Sequence, residues 1–140
     1  MGALFDAGWS LNQEKGFRVN ENGEIFHIRL LTRLYEENSK AEEITQKVVN
    51  NIEQQLKAIG IKLKIIRLPI AELEDAILKR DYDLLLYGQS LGYNLDVYSY
   101  WHSSQTGQNG LNLSNYTNPT ADLLIERIRR DFDADGKEEK

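Results

Sequence analysis

Residues 39–68 constrain the fold more than any other part of the sequence. Ser39-Lys40-Ala41-Glu42 has the S-x-x-E form of a capping box, in which a hydroxyl and a carboxylate satisfy the free amides of a helix start. Ala41, Ile44, Val48, Ile52, Leu56 and Ile59 then recur at spacings of three and four, with Lys40, Glu43, Lys47, Glu53 and Lys57 on other faces. This pattern predicts an amphipathic helix over residues 39–59, ended by Gly60. Fully burying its five large aliphatic side chains would contribute on the order of 10 kcal/mol before entropy is subtracted, so such a helix needs a flat apolar surface to lie on.

That surface is written on the far side of Gly60. Residues 61–68 alternate Ile61, Leu63 and Ile65 against Lys62 and Lys64, as a strand with one buried face does. Residues 70–80 carry Leu73, Ala76 and Ile77 on one helical face, and the apolar run of residues 82–88 suits a strand covered on both faces. Upstream, residues 3–7 read as the end of a short helix stopped at Gly8, and residues 17–19 and 24–30 as a hairpin turning at Asn22-Gly23. Strand, helix, strand, helix, strand in this order predicts an α/β fold with flanking helices. Downstream, Asn118-Pro119 opens a last helix with Leu123, Leu124 and Ile128 on its inner side, and residues 133–140 form a charged tail. At 140 residues, one domain is expected.

Several functional classes are disfavoured by composition. The formal net charge of −5, with no basic run, argues against nucleic acid and against an anionic membrane surface. The absence of cysteine removes disulfides, thiolate metal sites and thiol nucleophiles. No window approaches the roughly 18 to 20 apolar residues of a membrane span, and the first ten residues lack the pattern of a secretion signal.

The segment "YGQSLGYNLDVYSYW", Tyr87 to Trp101, places five aromatic residues in fifteen positions among Gly, Ser, Asn and Gln. It leaves the carboxyl end of a predicted strand, where α/β sheets bind ligands. Aromatic rings supply rigid contact area and the amides and hydroxyls supply adaptable hydrogen bonds. Gln89, Ser90, Leu91, Gly92, Tyr93, Asn94 and Trp101 are the candidate ligand-binding residues, with the backbone of residues 89–91 able to accept a ligand main chain as an added strand would. Tyr87 continues the strand pattern and is expected in the core. Trp101 is expected to anchor a short helix formed with Tyr98 and Tyr100.

Signals for catalysis are sparse. His27 and His102 have no i, i+4 partner and no H-E-x-x-H, and neither a G-x-S-x-G elbow nor a G-x-x-x-x-G-K-[ST] loop occurs. Carboxylates such as Asp81 with Asp83, or Asp131 with Asp133, could be posed as acid and base, and alternating acids of this kind are usually a solvated surface. No residue is assigned a catalytic or metal-ligating role, and no cofactor is expected.

Taken in order, "ALFDAGW", a turn at "ENGE", a capped helix ending in "QQLKAIGIKLKI", "LKRDYDLLLYG", an aromatic loop and "NLSNYTNPTADLLIERI" resemble family 5 of the bacterial extracellular solute-binding proteins. The resemblance runs from about Ala3 to Ile128. It implies a mixed sheet with flanking helices, part of a type II periplasmic-binding-protein lobe. It further implies that the chain is the later part of the second of two lobes that close on a ligand. An ABC importer's membrane permease would be the partner, and a location outside the cytoplasm is implied. Peptide-binding members carry Trp-x-x-Asp just after the strand matched by residues 82–87, the acid pairing with the peptide's amino terminus. Those two positions are Gln89 and Gly92 here, and Asp96 lies four residues further on. Peptide, nickel complex and oligosaccharide all remain open as ligands. A small α/β hydrolase or transferase using the carboxylate pairs, and a protein-interaction domain, are the alternatives. An uncovered sheet edge or apolar face would let the chain pair with another copy.

Overall fold

The computed structural model of the chain describes residues 2–89 and 96–138. Contacts divide it into two compact units, Met1–Asp75 with Tyr82–Tyr87, and Ala76–Asp81 with Gly88–Lys140.

The first unit is a parallel sheet carrying a helix. Strand β3 (His27–Arg33) lies at the centre, paired in parallel along its whole length with β4 (Lys62–Leu68) and over three residues with β5 (Leu84–Leu86). Helix α2 (Lys40–Ala58) connects β3 to β4, and α3 (Ile70–Lys79) connects β4 to β5. The α/β class and the flanking helices are therefore as expected, with the parallel and antiparallel pairings in separate sheets. Leu30, Val49 and Leu63 form the core, with Ile28, Ile52, Leu56, Ile65 and Leu86 packed on it. Leu31, on the other face of β3, is also buried, as is Thr32, whose hydroxyl donates to Leu86 O at 3.1 Å.

Four expectations change in this unit. The capping box forms by half: Ser39 Oγ accepts from Glu42 N at 3.1 Å, while the Glu42 carboxylate is taken by Arg67. The inner face of α2 runs through Thr45, Val49, Ile52 and Leu56, so Ile44, Val48 and Ile59 of the expected stripe stay exposed. Strand β5 is an edge strand, not one covered on both faces, with Leu84 38% and Tyr87 40% exposed. Tyr87 is therefore not a core residue. Last, β2 (Phe17–Val19) pairs mainly with a short strand β1 (Ser10–Asn12) absent from the sequence reading, and meets the segment before β3 only at the Val19–Ile25 bridge.

The two-stranded sheet is fixed to the end of α2. Arg18 N donates to Gly60 O at 2.7 Å, and the Arg18 guanidinium donates to Ile59 O at 2.8 Å and to Trp9 O at 2.9 Å, satisfying a carbonyl at the helix end. Gly60 has φ +80°, and a Cβ there would lie 2.9 Å from Leu11 Cδ1 and 3.3 Å from Arg18 N. The helix stop and the close approach of β1 and β2 both require glycine at this position.

The second unit begins within α3 and contains α4 (Tyr98–Trp101), a 3-10 turn over Ser103–Gln105, and α5 (Pro119–Glu138). Asn118 caps α5 through Oδ1, which accepts from Thr120 N at 3.0 Å and Ala121 N at 3.2 Å. The expected inner residues of α5 are instead outside: Leu123, Leu124 and Ile128 are each more than half exposed. Asp122, Glu126 and Arg129, at i, i+4 and i+7, tie α5 to its own unit by hydrogen bonds and an ion pair, beside the part-buried Ala121 and Ile125.

Candidate functional site

Beyond β5 the chain enters the polar, aromatic segment through Gly88 and Gln89. Ser90, Leu91, Gly92, Tyr93 and Asn94 lie outside the described residues. Gln89 is exposed, and its amide donates to Leu111 O at 3.3 Å. From Asp96 onward the structure shows how the segment is held.

Asp96 starts α4, its Oδ1 accepting from Tyr98 N at 3.0 Å, and its Oδ2 lies 3.4 Å from Arg129 Nε. The Tyr98 ring stacks on His102 at 4.3 Å between centroids, and the Arg129 guanidinium carbon sits 4.6 Å from the Tyr98 ring centre. Tyr98 Oη and Ser104 Oγ share a hydrogen bond of 3.2 Å. Tyr98 is thus the anchor of α4. Trp101, expected in that role, is 49% exposed and meets Tyr116 edge to face at 6.0 Å.

His102 is buried and its ring nitrogens are assigned by their neighbours. Nδ1 accepts the Ser104 N–H at 3.1 Å, so in the neutral ring the proton is on Nε2, which points to Glu126 Oε1 at 3.4 Å and lies 4.0 Å from Asp122 Oδ1. The order Ser104, His102, Glu126 has the residue types of a nucleophile relay. Because the Nδ1 lone pair already takes the Ser104 amide, it is not held ready to draw a proton from Ser104 Oγ, 2.8 Å away. Asp122 accepts from Ser103 Oγ at 2.7 Å and from Ser103 N at 2.9 Å, and these bonds hold its carboxyl below the usual aspartate range.

Asn112, fully buried, joins the turns around α4. Its amide donates to Tyr116 O at 2.8 Å and His102 O at 3.2 Å, and Oδ1 accepts from Tyr116 N and Ser114 Oγ, each at 3.2 Å. Arg80 closes the same unit by donating to Gly110 O at 2.8 Å and Gly107 O at 3.0 Å. Sequence reading missed Asn112, Tyr98 and His102 as organisers, since asparagine in a Gly- and Asn-rich stretch has the composition of a solvated loop. The arrangement can present Trp101 and Tyr116 as a half-exposed aromatic pair on a hydrogen-bonded base.

Of the acid/base candidates, Asp83 has another partner. Asp83 accepts from Arg29 N at 2.7 Å and lies 3.3 Å from Arg29 Nε, and the backbone hydrogen bond above all lowers its pKa. Among the described residues no three His, Cys, Asp or Glu side chains gather as a metal site, and no helix is long and apolar enough to cross a membrane.

No family model matches the sequence, and no curated relative does. Solved structures do match. The oligopeptide-binding protein AppA of Bacillus subtilis, solved with a nonapeptide, is 28% identical at a TM-score of 0.71, covering 89% of this chain and 23% of that one. A nickel ABC transporter protein of Bacillus halodurans is 26% identical at 0.60, covering 91% and 24%. A Thermotoga maritima periplasmic oligopeptide-binding protein, solved with mannohexaose, is similar in fold at 0.62 with 17% identity, covering 87% and 23%. The fold is that of the type II periplasmic binding proteins, and the solved structures that it matches are family 5 solute-binding proteins. The chain spans about a quarter of the length of these neighbours.

Proposed function

We propose that the chain is part of the substrate-binding component of an ABC importer, acting outside the cytoplasmic membrane and delivering its solute to a membrane permease. The segment that leaves β5 contacts the solute as the lobes close, through Gln89, Ser90, Leu91, Gly92, Tyr93, Asn94 and Trp101. The observation that carries this reading is Trp101: a large ring half exposed on a rigid polar base, where a buried anchor was expected. Such a ring is costly to leave in water and is well suited to cover an apolar or flat part of a ligand. Fold similarity to proteins solved with a nonapeptide, with nickel transport as a named role, and with mannohexaose supports solute capture and leaves the solute's class open.

The same reading makes the chain a binding protein and not an enzyme. Asp83 is held ionised by Arg29 and so is poorly placed to donate a proton near neutral pH, which weighs against the carboxylate-pair hydrolase. Isothermal titration of the parent protein with the solute it carries from cells, identified by mass spectrometry, tests the proposal. Tyr93→Ala, Asn94→Ala and Trp101→Ala should each weaken binding; unchanged affinity in all three would remove the assignment of the segment.

A further inference from the structure

A second set of groups gathers at the other end of the parallel strands, in the first unit. Lys15, Gly23, Glu24, Ile25, His27, Lys62, Leu63 and Lys64 surround an open cavity of about 670 Å³ at the amino ends of β3 and β4. Four of these side chains are basic and one is acidic, in a chain whose formal net charge is −5. Strand register sets His27 beside Lys62 and Arg29 beside Lys64 on one face of the sheet. Arg29 is compensated by Asp83. Lys62 and Lys64 have no ion-pair partner among the described residues, and Lys15 Nζ donates only to Gly23 O at 3.2 Å. The single acid, Glu24, has its Oε2 committed to the Asn20 amide at 2.6 Å. His27 Nδ1 donates to Ile25 O at 3.3 Å.

Three ammonium groups and one carboxylate line the cavity, so its local field favours an anion. We infer that this cavity binds a phosphate-bearing anion, with Lys15, Lys62 and Lys64 as the ammonium donors. Lysine suits phosphate as a mobile point charge with three donors, and the volume is that of a small-molecule site and exceeds a single bare ion. The source is either a free phosphorylated molecule or the headgroup of an anionic lipid. This site is distinct from the segment after β5 and does not depend on the transport reading.

The test uses the full protein, with pyrophosphate in isothermal titration and phosphatidylglycerol vesicles, against phosphatidylcholine, in cosedimentation. The double variant Lys62→Ala with Lys64→Ala should weaken whichever interaction is present by about tenfold or more. Lys40→Ala with Lys47→Ala removes the same charge from the first half of α2, which follows the carboxyl end of β3, and should leave it within about twofold, as expected for charges that touch no ligand. Pyrophosphate binding lost only in the first variant identifies a free phosphate ligand; vesicle binding lost only in the first identifies a lipid headgroup. No binding to either probe, or equal loss in both double variants, overturns the inference.

Discussion

A fully buried asparagine is tolerable only when both edges of its amide are used, and Asn112 uses both, on Tyr116, His102 and Ser114. Asn112→Ala strands the His102 and Tyr116 carbonyls, each at about 1–3 kcal/mol, and Asn112→Asp, which keeps the acceptor but not the donors, should be damaged to a similar degree. Urea denaturation followed at Trp101 measures both. Gly110 is equally restricted: a Cβ there would lie 1.9 Å from Gln105 O, so Gly110→Ala should destabilise the same turns. Asp122 adds a pH dependence. Its carboxyl is held low by Ser103, so it stabilises the folded state above the ordinary aspartate value of about 4 and loses that effect as pH falls through its lower folded value. Asp122→Asn should flatten this part of the stability curve below about pH 4; an unchanged acid limb in denaturation midpoints would show that Ser103 exerts no such hold. None of these roles is legible from residue type, because a buried polar knot and a solvated loop are built from the same amino acids.

At the scale of elements, what could be read and what could not divides on periodicity. The existence of α2, β4, α3 and α5 follows from long repeating patterns, and the Ser39 cap and the Gly60 stop follow from local chemistry. The facing of α2 does not, since Val48 and Val49 are adjacent and either can head a stripe; the strands select Val49. Ile44→Lys with Val48→Lys should therefore leave stability within about 0.5 kcal/mol, whereas Val49→Ala should cost about 1–3 kcal/mol. Reversal of that order in chemical denaturation would place the other stripe inward. In α5, Leu123, Leu124 and Ile128 are a misleading guide because the helix turns Ala121, Asp122 and Ile125 inward and is tied to its unit by the hydrogen bonds and charges of Asp122, Glu126 and Arg129. Strand β1 escaped notice because Ser10–Asn12 is too short to display alternation. In the candidate segment, Trp101 was expected to anchor the short helix and Tyr98 does so, a difference that rests on Arg129 and His102, residues distant in sequence or without a motif.

Across the whole molecule, the two units rest on different forces, and each contains one of the two tryptophans. Trp9, stacked on Phe26 at 4.6 Å, reports the first unit, where stability comes from aliphatic burial between α2 and the sheet. Trp101 reports the second, where the polar network of Asn112, His102 and Asp122 dominates. Leu30→Ala removes a side chain only 2% exposed from the first core and should cost about 2–5 kcal/mol. Introduced into single-tryptophan backgrounds made by Trp101→Phe and Trp9→Phe, Leu30→Ala should shift the Trp9 transition more than the Trp101 transition, and Asn112→Ala the reverse. Separate shifts mean that each unit folds on its own contacts, so the aromatic segment can adjust without unfolding the sheet. Equal shifts at both reporters would mean one cooperative structure, in which a change in the candidate segment is felt throughout the chain.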